Sequence, residues 1–479
     1  MEWIIHPARG LSGTLCIPAD RFIARQAVML GSIAEGITTI EGAETWIRTT
    51  SSVDDWSIVR AMHMLGVPIR ETKGKLVVHG QGLRGLQKPR GSVHVEDPAS
   101  LQLLAGLLVG QPFEAILDGD ASLNRRPMRG IIEPLRQMGA HITGVVDPSI
   151  GNDEYPPITL CGGPLKGVRY EIPTARTALK AALLFAGLYA DGLTKVVEPT
   201  PSVDHPERML SAFGATVKYE LRTPNSELQV GEADVSAELQ RRLRKRQREA
   251  PEEEVMEASV QGDPVLKGQH VIVPGDLSLA AFFLVAGTIV PHSEVRIERI
   301  GLNPTRREIV KVLRRMGAVL QVENEEESGG EPFANVIVRS SDLKRIKIAG
   351  PTVCRVMDEI PILAVAATQV EGEVLIRDAQ ELRSLQLSYV QEKTDRIRTV
   401  VENLRKMGAK VGEMPDGFII EGGRPLIGTR IHSFGDPWIA MAFAVAGLIA
   451  EGETVIEDVE CTDLVFPGFY QQLSALRRA

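Results

Sequence analysis

Six times along the chain, a helix of small and apolar residues runs into a glycine-marked turn and then a strand. No other feature constrains the fold as strongly. The copies cover Ala27 to Ile40, Leu103 to Leu117, Ala181 to Val197, Ala281 to Ile297, Ile362 to Ile376 and Ala442 to Ile456. These helices are apolar nearly all round, so each is expected to be buried rather than to lie on a surface. A second helix alternates with the first kind and also ends at a glycine before a strand. It covers Ile58 to Ile69, Ile131 to Ile142, Arg208 to Val217, Ile309 to Leu320 and Val400 to Val411, and a sixth copy, Phe469 to Arg478, breaks off at the chain end. The glycine of the first five copies reads as a left-handed helix terminus, a conformation that costs glycine nothing. Its Met and Leu positions read as core packing rather than as a cofactor box. Six β-α-β-α-β units make an α/β protein. At 479 residues the chain exceeds one ordinary core, so three units in each of two domains is the natural division.

The stretch from Cys16 to Gly31 shows what the turns are for. A strand-like run ends at Pro18, a short polar turn follows, and a helix opens. Free N–H groups and the helix dipole make such a helix start favourable for anions. The formal net charge of −8 argues against a mainly electrostatic nucleic-acid or membrane binder. Cys16, Cys161, Cys354 and Cys461 are scattered, which indicates neither a disulfide framework nor a metal site. The start, Met1 to His6, lacks the basic-then-apolar plan of a signal peptide, and no apolar run reaches membrane-spanning length. A cytoplasmic protein is expected. The basic run Gln240 to Arg248, followed by Pro251 to Glu254, reads as a solvated, partly helical insertion in preference to a polyanion contact. Glu323 to Gly330 reads as a surface loop.

Several turn motifs are specific. They are Arg126-Pro127-Met128, Glu198 to Leu210, Pro274-Gly275-Asp276, Gly301 to Arg306, Asp358-Glu359-Ile360-Pro361, Glu381-Leu382-Arg383 and Phe466 to Phe469. With the six repeats, they make the whole chain resemble the enolpyruvyl transferase family, in the branch that acts on shikimate 3-phosphate. The resemblance implies a two-domain fold, an inside-out α/β barrel of six β-α-β-α-β-β repeats with three per domain. It places an N-terminal lobe at 21–270, with a charged insertion near 221–268, and a C-terminal lobe at 1–20 plus 271–479. It implies transfer of the enolpyruvyl group of phosphoenolpyruvate to shikimate 3-phosphate with release of phosphate, a step of the shikimate pathway to chorismate and the aromatic amino acids. It also implies no metal and no organic cofactor; from charge and hydropathy no nucleic-acid or membrane partner is expected, and a monomer is expected.

The chemistry needs cationic forks and hydroxyl donors for two polyanions, a base for the attacking hydroxyl, and an acid for the vinyl carbon. Carried over from the family, Asp358 and Lys393 are the catalytic candidates, and Arg21, Arg25, Arg126, Lys180, Asp395 and Arg396 are the substrate-binding ones. Two readings stand for several of them. Asp358 is a hydroxyl base or a helix N-cap. Arg126 binds an anion or pairs with a local carboxylate, and Asp395-Arg396 is a site pair or a helix-start ion pair. Phe22 and Trp438 line an apolar site or fill space.

The turns depart from the family pattern. The first has Arg21, Phe22, Ala24 and Gln26 where the family has a lysine, two serines and an arginine. The second reads Glu96-Asp97-Pro98-Ala99, with Pro98 in place of a phosphate-admitting glycine and Gln102 in place of an arginine. The third has Ala178 for a glutamine, and the last has Pro437-Trp438 for a histidine and an arginine. The expectation is an impaired or inactive paralogue. The alternatives are an active synthase, with Arg21, Arg25 and Arg176 as replacement cations, and a transferase for a less anionic acceptor.

Overall fold

The computed structural model describes residues 1–43, 56–149, 151–173, 176–222, 255–384 and 394–478. The basic run Gln240 to Arg248 and the acids after it lie outside the described residues, as does Lys393. The chain divides into two compact units. The terminal unit is built from Met1–Ala24, Glu41–Ser51 and Ile272–Ala479, and the inner unit from Arg25–Ile40 and Ser52–Val271.

One plan repeats within each unit. In the inner unit, strand Val93–Val95 leads into helix Pro98–Leu108 and then strand Glu114–Gly119, which pairs parallel with the first. A second helix, Arg129–Gln137, precedes strands His141–Val145 and Tyr155–Cys161, which complete the sheet in antiparallel fashion. The next copy runs through Arg169–Glu171, Leu193–Glu198, Val217–Arg222 and Val255–Gln261 with the same mixed pairing. The terminal unit repeats it in Lys347–Ile348, Gly372–Ile376, Lys410–Met414 and Gly417–Gly422. Its five-stranded sheet takes Gly10–Cys16 as a strand parallel to Glu294–Gly301. Among the described residues the strands form eight separate sheets, not one closed hydrogen-bonded barrel.

The small-residue helices are buried, as their composition demands. All thirteen residues of Leu277–Ile289 are buried, and it packs with Ile360–Thr368 and Pro437–Gly447 in the core of the terminal unit. The inner unit packs Pro98–Leu108 against Thr177–Gly187. The second kind of helix ends at Gly66, Gly139, Gly214, Gly317 and Gly408, all with φ between 83° and 103°. The opening stretch is strand Gly10–Cys16 followed by helix Arg21–Ile33.

One expectation fails here. Glu323 to Gly330 is not a loop. It is the outer half of a hairpin, with strand Val319–Ser328 pairing antiparallel with Glu331–Arg339 across a turn at Gly329 and Gly330. The acids that suggested a loop lie on the outermost strand of its sheet, where exposed charge disfavours pairing with another chain. Among the described residues, no helix is long and apolar enough to cross a membrane.

Close helix packing makes one glycine sensitive. A Cβ added at Gly106 would lie 2.1 Å from the backbone oxygen of Ala182 on the neighbouring helix. Gly106→Ala should therefore destabilise the protein by about 1–3 kcal/mol through overpacking. Denaturant unfolding measures this directly, and an unchanged midpoint would contradict the packing described.

Candidate functional site

Several of the site candidates sit at or near helix starts, where N–H groups lack intrahelical partners. In the terminal unit, Asp20 fills that role for helix Arg21–Ile33. Its Oδ1 accepts from the N–H of Phe22 at 2.8 Å and of Ile23 at 3.1 Å. Arg21 opens this helix in a half-buried position. Asp276 caps Leu277–Ile289 by accepting from Ser278 N–H at 2.8 Å. It also accepts from Arg306 Nη2 at 3.3 Å, which donates to Ser278 Oγ at 3.1 Å as well. Ser278 Oγ donates in turn to Glu359. Burial works against the charge of Arg306, but Asp276, Asp20, Glu359 and Asp358 outweigh it and hold the guanidinium firmly protonated. Burial, with the nearby Asp358 charge, pushes the Glu359 carboxyl up to about 7.

Asp358 is half-exposed, and its Oδ1 accepts from Arg396 Nη1 at 3.3 Å. Arg396 is almost fully buried and donates from Nε to Asp436 Oδ2 at 2.8 Å. Asp436 also caps helix Pro437–Gly447, accepting from Trp438 N–H at 2.9 Å. This chain, Asp358–Arg396–Asp436, brings together two predicted residues and one that was missed. It also corrects two readings. Asp358 is not the N-cap of helix Ile360–Thr368; Glu359 stands there, without a side-chain capping bond, and Asp358 turns to Arg396. Asp395 and Arg396 do not pair as a helix-start couple. Asp395 caps helix Arg396–Lys406 through Arg398 N–H at 2.9 Å and accepts from Arg383 at 2.9 Å, while Arg396 turns to Asp436. Trp438 stacks on Phe282 with ring centroids 5.7 Å apart, which favours its space-filling reading.

In the inner unit, Asp97 caps helix Pro98–Leu108 and pairs with Arg25 at 3.0 Å. Glu96 beside it pairs with Arg60 at 3.4 Å. Gln26, which stands in place of an arginine, is fully buried. Arg126 is half-buried; burial lowers its pKa and the charge of Asp120 opposes that. Lys180 is completely buried, 3.0 Å from Glu198 and 2.8 Å from Glu207. Burial disfavours its charge, and the two carboxylates more than restore it. Glu198 also accepts from Ser202 Oγ at 2.8 Å and from Arg176 N–H at 3.4 Å. Lys180 is thus enclosed by acids of its own unit, which sets it apart from the half-buried Arg126 and exposed Arg176. Asp97 and Asp436 were legible as caps, since each is an Asp directly before a proline that opens a helix. Glu359 had no such signal, because its partner Ser278 is distant in sequence. Among the described residues, no group of His, Cys, Asp and Glu is arranged to hold a metal ion.

The raised Glu359 carboxyl ties stability to pH. Its folded value of about 7 exceeds its ordinary 4.5. The stabilisation it brings is therefore complete below pH 4.5 and is lost as pH rises through 7. Glu359→Gln, which stays neutral, lacks this loss. Thermal melting of both proteins from acid to neutral pH should show the variant gaining on the unaltered protein, and parallel profiles would contradict it.

The comparisons with known proteins agree with this architecture. A model of the family described as EPSP synthase (3-phosphoshikimate 1-carboxyvinyltransferase) matches residues 5–237 and 248–473. A 3-phosphoshikimate 1-carboxyvinyltransferase of Brevibacillus brevis is 41% identical over 470 residues, covering 98% of each chain. One from Desulforamulus reducens is 39% identical over 471 residues, again 98% of each. The solved EPSP synthase of Acinetobacter baumannii superposes with a TM-score of 0.84 at 34% identity, covering 99% of this chain and 98% of that one. Sequence, repeat plan and three-dimensional arrangement thus agree over nearly the whole length, and the chain belongs to the EPSP synthase family.

Proposed function

We propose that this chain keeps the EPSP synthase scaffold as a catalytically impaired paralogue, a cytoplasmic monomer that turns over shikimate 3-phosphate and phosphoenolpyruvate poorly or not at all. The observation that carries this reading is the Arg25–Asp97 pair, 3.0 Å apart. It stands at a turn where Pro98 replaces the family's phosphate-admitting glycine. A carboxylate beside an expected phosphate repels it, and the same carboxylate engages a cation that would have attracted it. Gln26, Gln102 and Trp438 remove further cations that the family pattern places at these turns. Each charge-assisted contact is worth roughly 1.5–3 kcal/mol. Such terms do not add strictly, yet losing three of them weakens transition-state binding by several kcal/mol.

A second reading, an active synthase with a rebuilt site, is favoured by the Asp358–Arg396–Asp436 chain. It presents a half-exposed carboxylate on a rigid, buried base. Asp358 would then take the proton of the attacking hydroxyl, with Lys393 as the second catalytic group and Arg126 and Arg21 as anion contacts.

Phosphate release from the two substrates separates the readings. The impaired reading expects kcat/KM about a thousandfold or more below that of an intact relative assayed alongside. Turnover close to the relative's, abolished by Asp358→Ala, overturns it in favour of the synthase.

A further inference from the structure

We propose that Asp97 is a built-in carboxylate ligand that occupies an anion position of the inner unit, and so determines specificity by excluding phosphate monoesters and small carboxylates. This deepens the proposed function and rests on it. Donors converge on this carboxylate from two elements far apart in sequence. Oδ1 accepts from Ser100 N–H at 3.0 Å. Oδ2 accepts from Ser100 Oγ at 2.7 Å and pairs with Arg25 Nη2 at 3.0 Å. Both side chains are largely out of solvent, Arg25 at 13% exposed and Asp97 at 20%.

A capping bond alone requires one oxygen and no charge, and a serine or asparagine serves as well. Here the second oxygen gathers a hydroxyl and a guanidinium, so the carboxylate does more than cap. A backbone N–H, a hydroxyl and a guanidinium together form the donor set that recognises an oxyanion. The set also exceeds what Asp97 takes up, because Arg25 Nε is buried and makes no hydrogen bond to the described residues. A tetrahedral oxyanion offers more acceptor oxygens than the two of a carboxylate. Removing the Asp97 charge while keeping the cap would leave these donors to an external anion.

The experiment is calorimetric titration of the full chain with inorganic phosphate and, separately, with phosphoenolpyruvate. The proteins are the unaltered chain, Asp97→Ser, the near-isosteric Asp97→Asn, and Asp97→Ser combined with Arg25→Gln. Thermal melting first establishes that each is folded. Either single variant should bind phosphate about tenfold tighter than the unaltered protein, the equivalent of one charge-assisted contact. Adding Arg25→Gln should return affinity to the unaltered level. Two folded single variants that bind no tighter overturn the proposal, and so does a gain that survives the loss of Arg25. The readout is binding and not turnover, so it fails separately from the impaired-paralogue reading, which phosphate release by the unaltered chain decides.

Discussion

Carboxylates at helix N-termini organise both units. A helix buried on all sides cannot use water to satisfy its first N–H groups, so the chain must supply acceptors. Asp20, Asp97, Asp276 and Asp436 do this for four of the six small-residue helices. Three of them grip an arginine from another element as well: Asp97 with Arg25, Asp276 with Arg306, and Asp436 with Arg396. A cap by itself is worth about 1 kcal/mol. Breaking a buried pair by removing one partner costs roughly 3–5 kcal/mol. The Arg396–Asp436 pair, with both side chains at or below 3% exposed, is therefore the strongest such tie, and Arg25–Asp97 is a weaker one. The two remaining helices, Thr177–Gly187 and Ile360–Thr368, start without a side-chain cap. The buried Lys180 cluster lies in the first turn of one and the Ser278–Glu359 bond at the start of the other.

What was legible in the sequence was what is local. Helix burial follows from composition, the glycine termini from backbone sterics, and the strand–turn–helix plan from the order of apolar and polar runs. All three hold in the structure. The hairpin at Val319–Ser328 escaped because local composition carries no record of sheet pairing: a strand at the outer edge of its sheet tolerates the same acids as a loop. The site was less legible for a related reason. Arg396 lies 38 residues from Asp358 and 40 from Asp436, and no spacing rule links such partners. Family motifs identify positions without identifying what each side chain touches. Lys180 shows this, since the motif marks it as a ligand candidate while the fold encloses it between Glu198 and Glu207.

A scaffold and its ligand chemistry therefore impose different demands on the same turns. The scaffold needs each helix start satisfied, and an internal carboxylate does so as well as a bound anion. Binding needs donors in excess of the internal acceptors. High identity over the full length follows from the first demand, because helices, strands and glycine termini make up most of the chain. It says little about the second, which depends on one or two residues in each turn. At Pro98 the difference is a single step: the turn still starts a helix, with Asp97 as its cap, and that cap already holds Arg25. The terminal unit shows the opposite balance at Asp358. Its carboxylate shares Arg396 with the fully buried Asp436, which already holds that arginine in place, and so Asp358 keeps an exposed face. Both units thus close helix starts with carboxylates, and the terminal unit also fixes an acid, Asp358, at the surface.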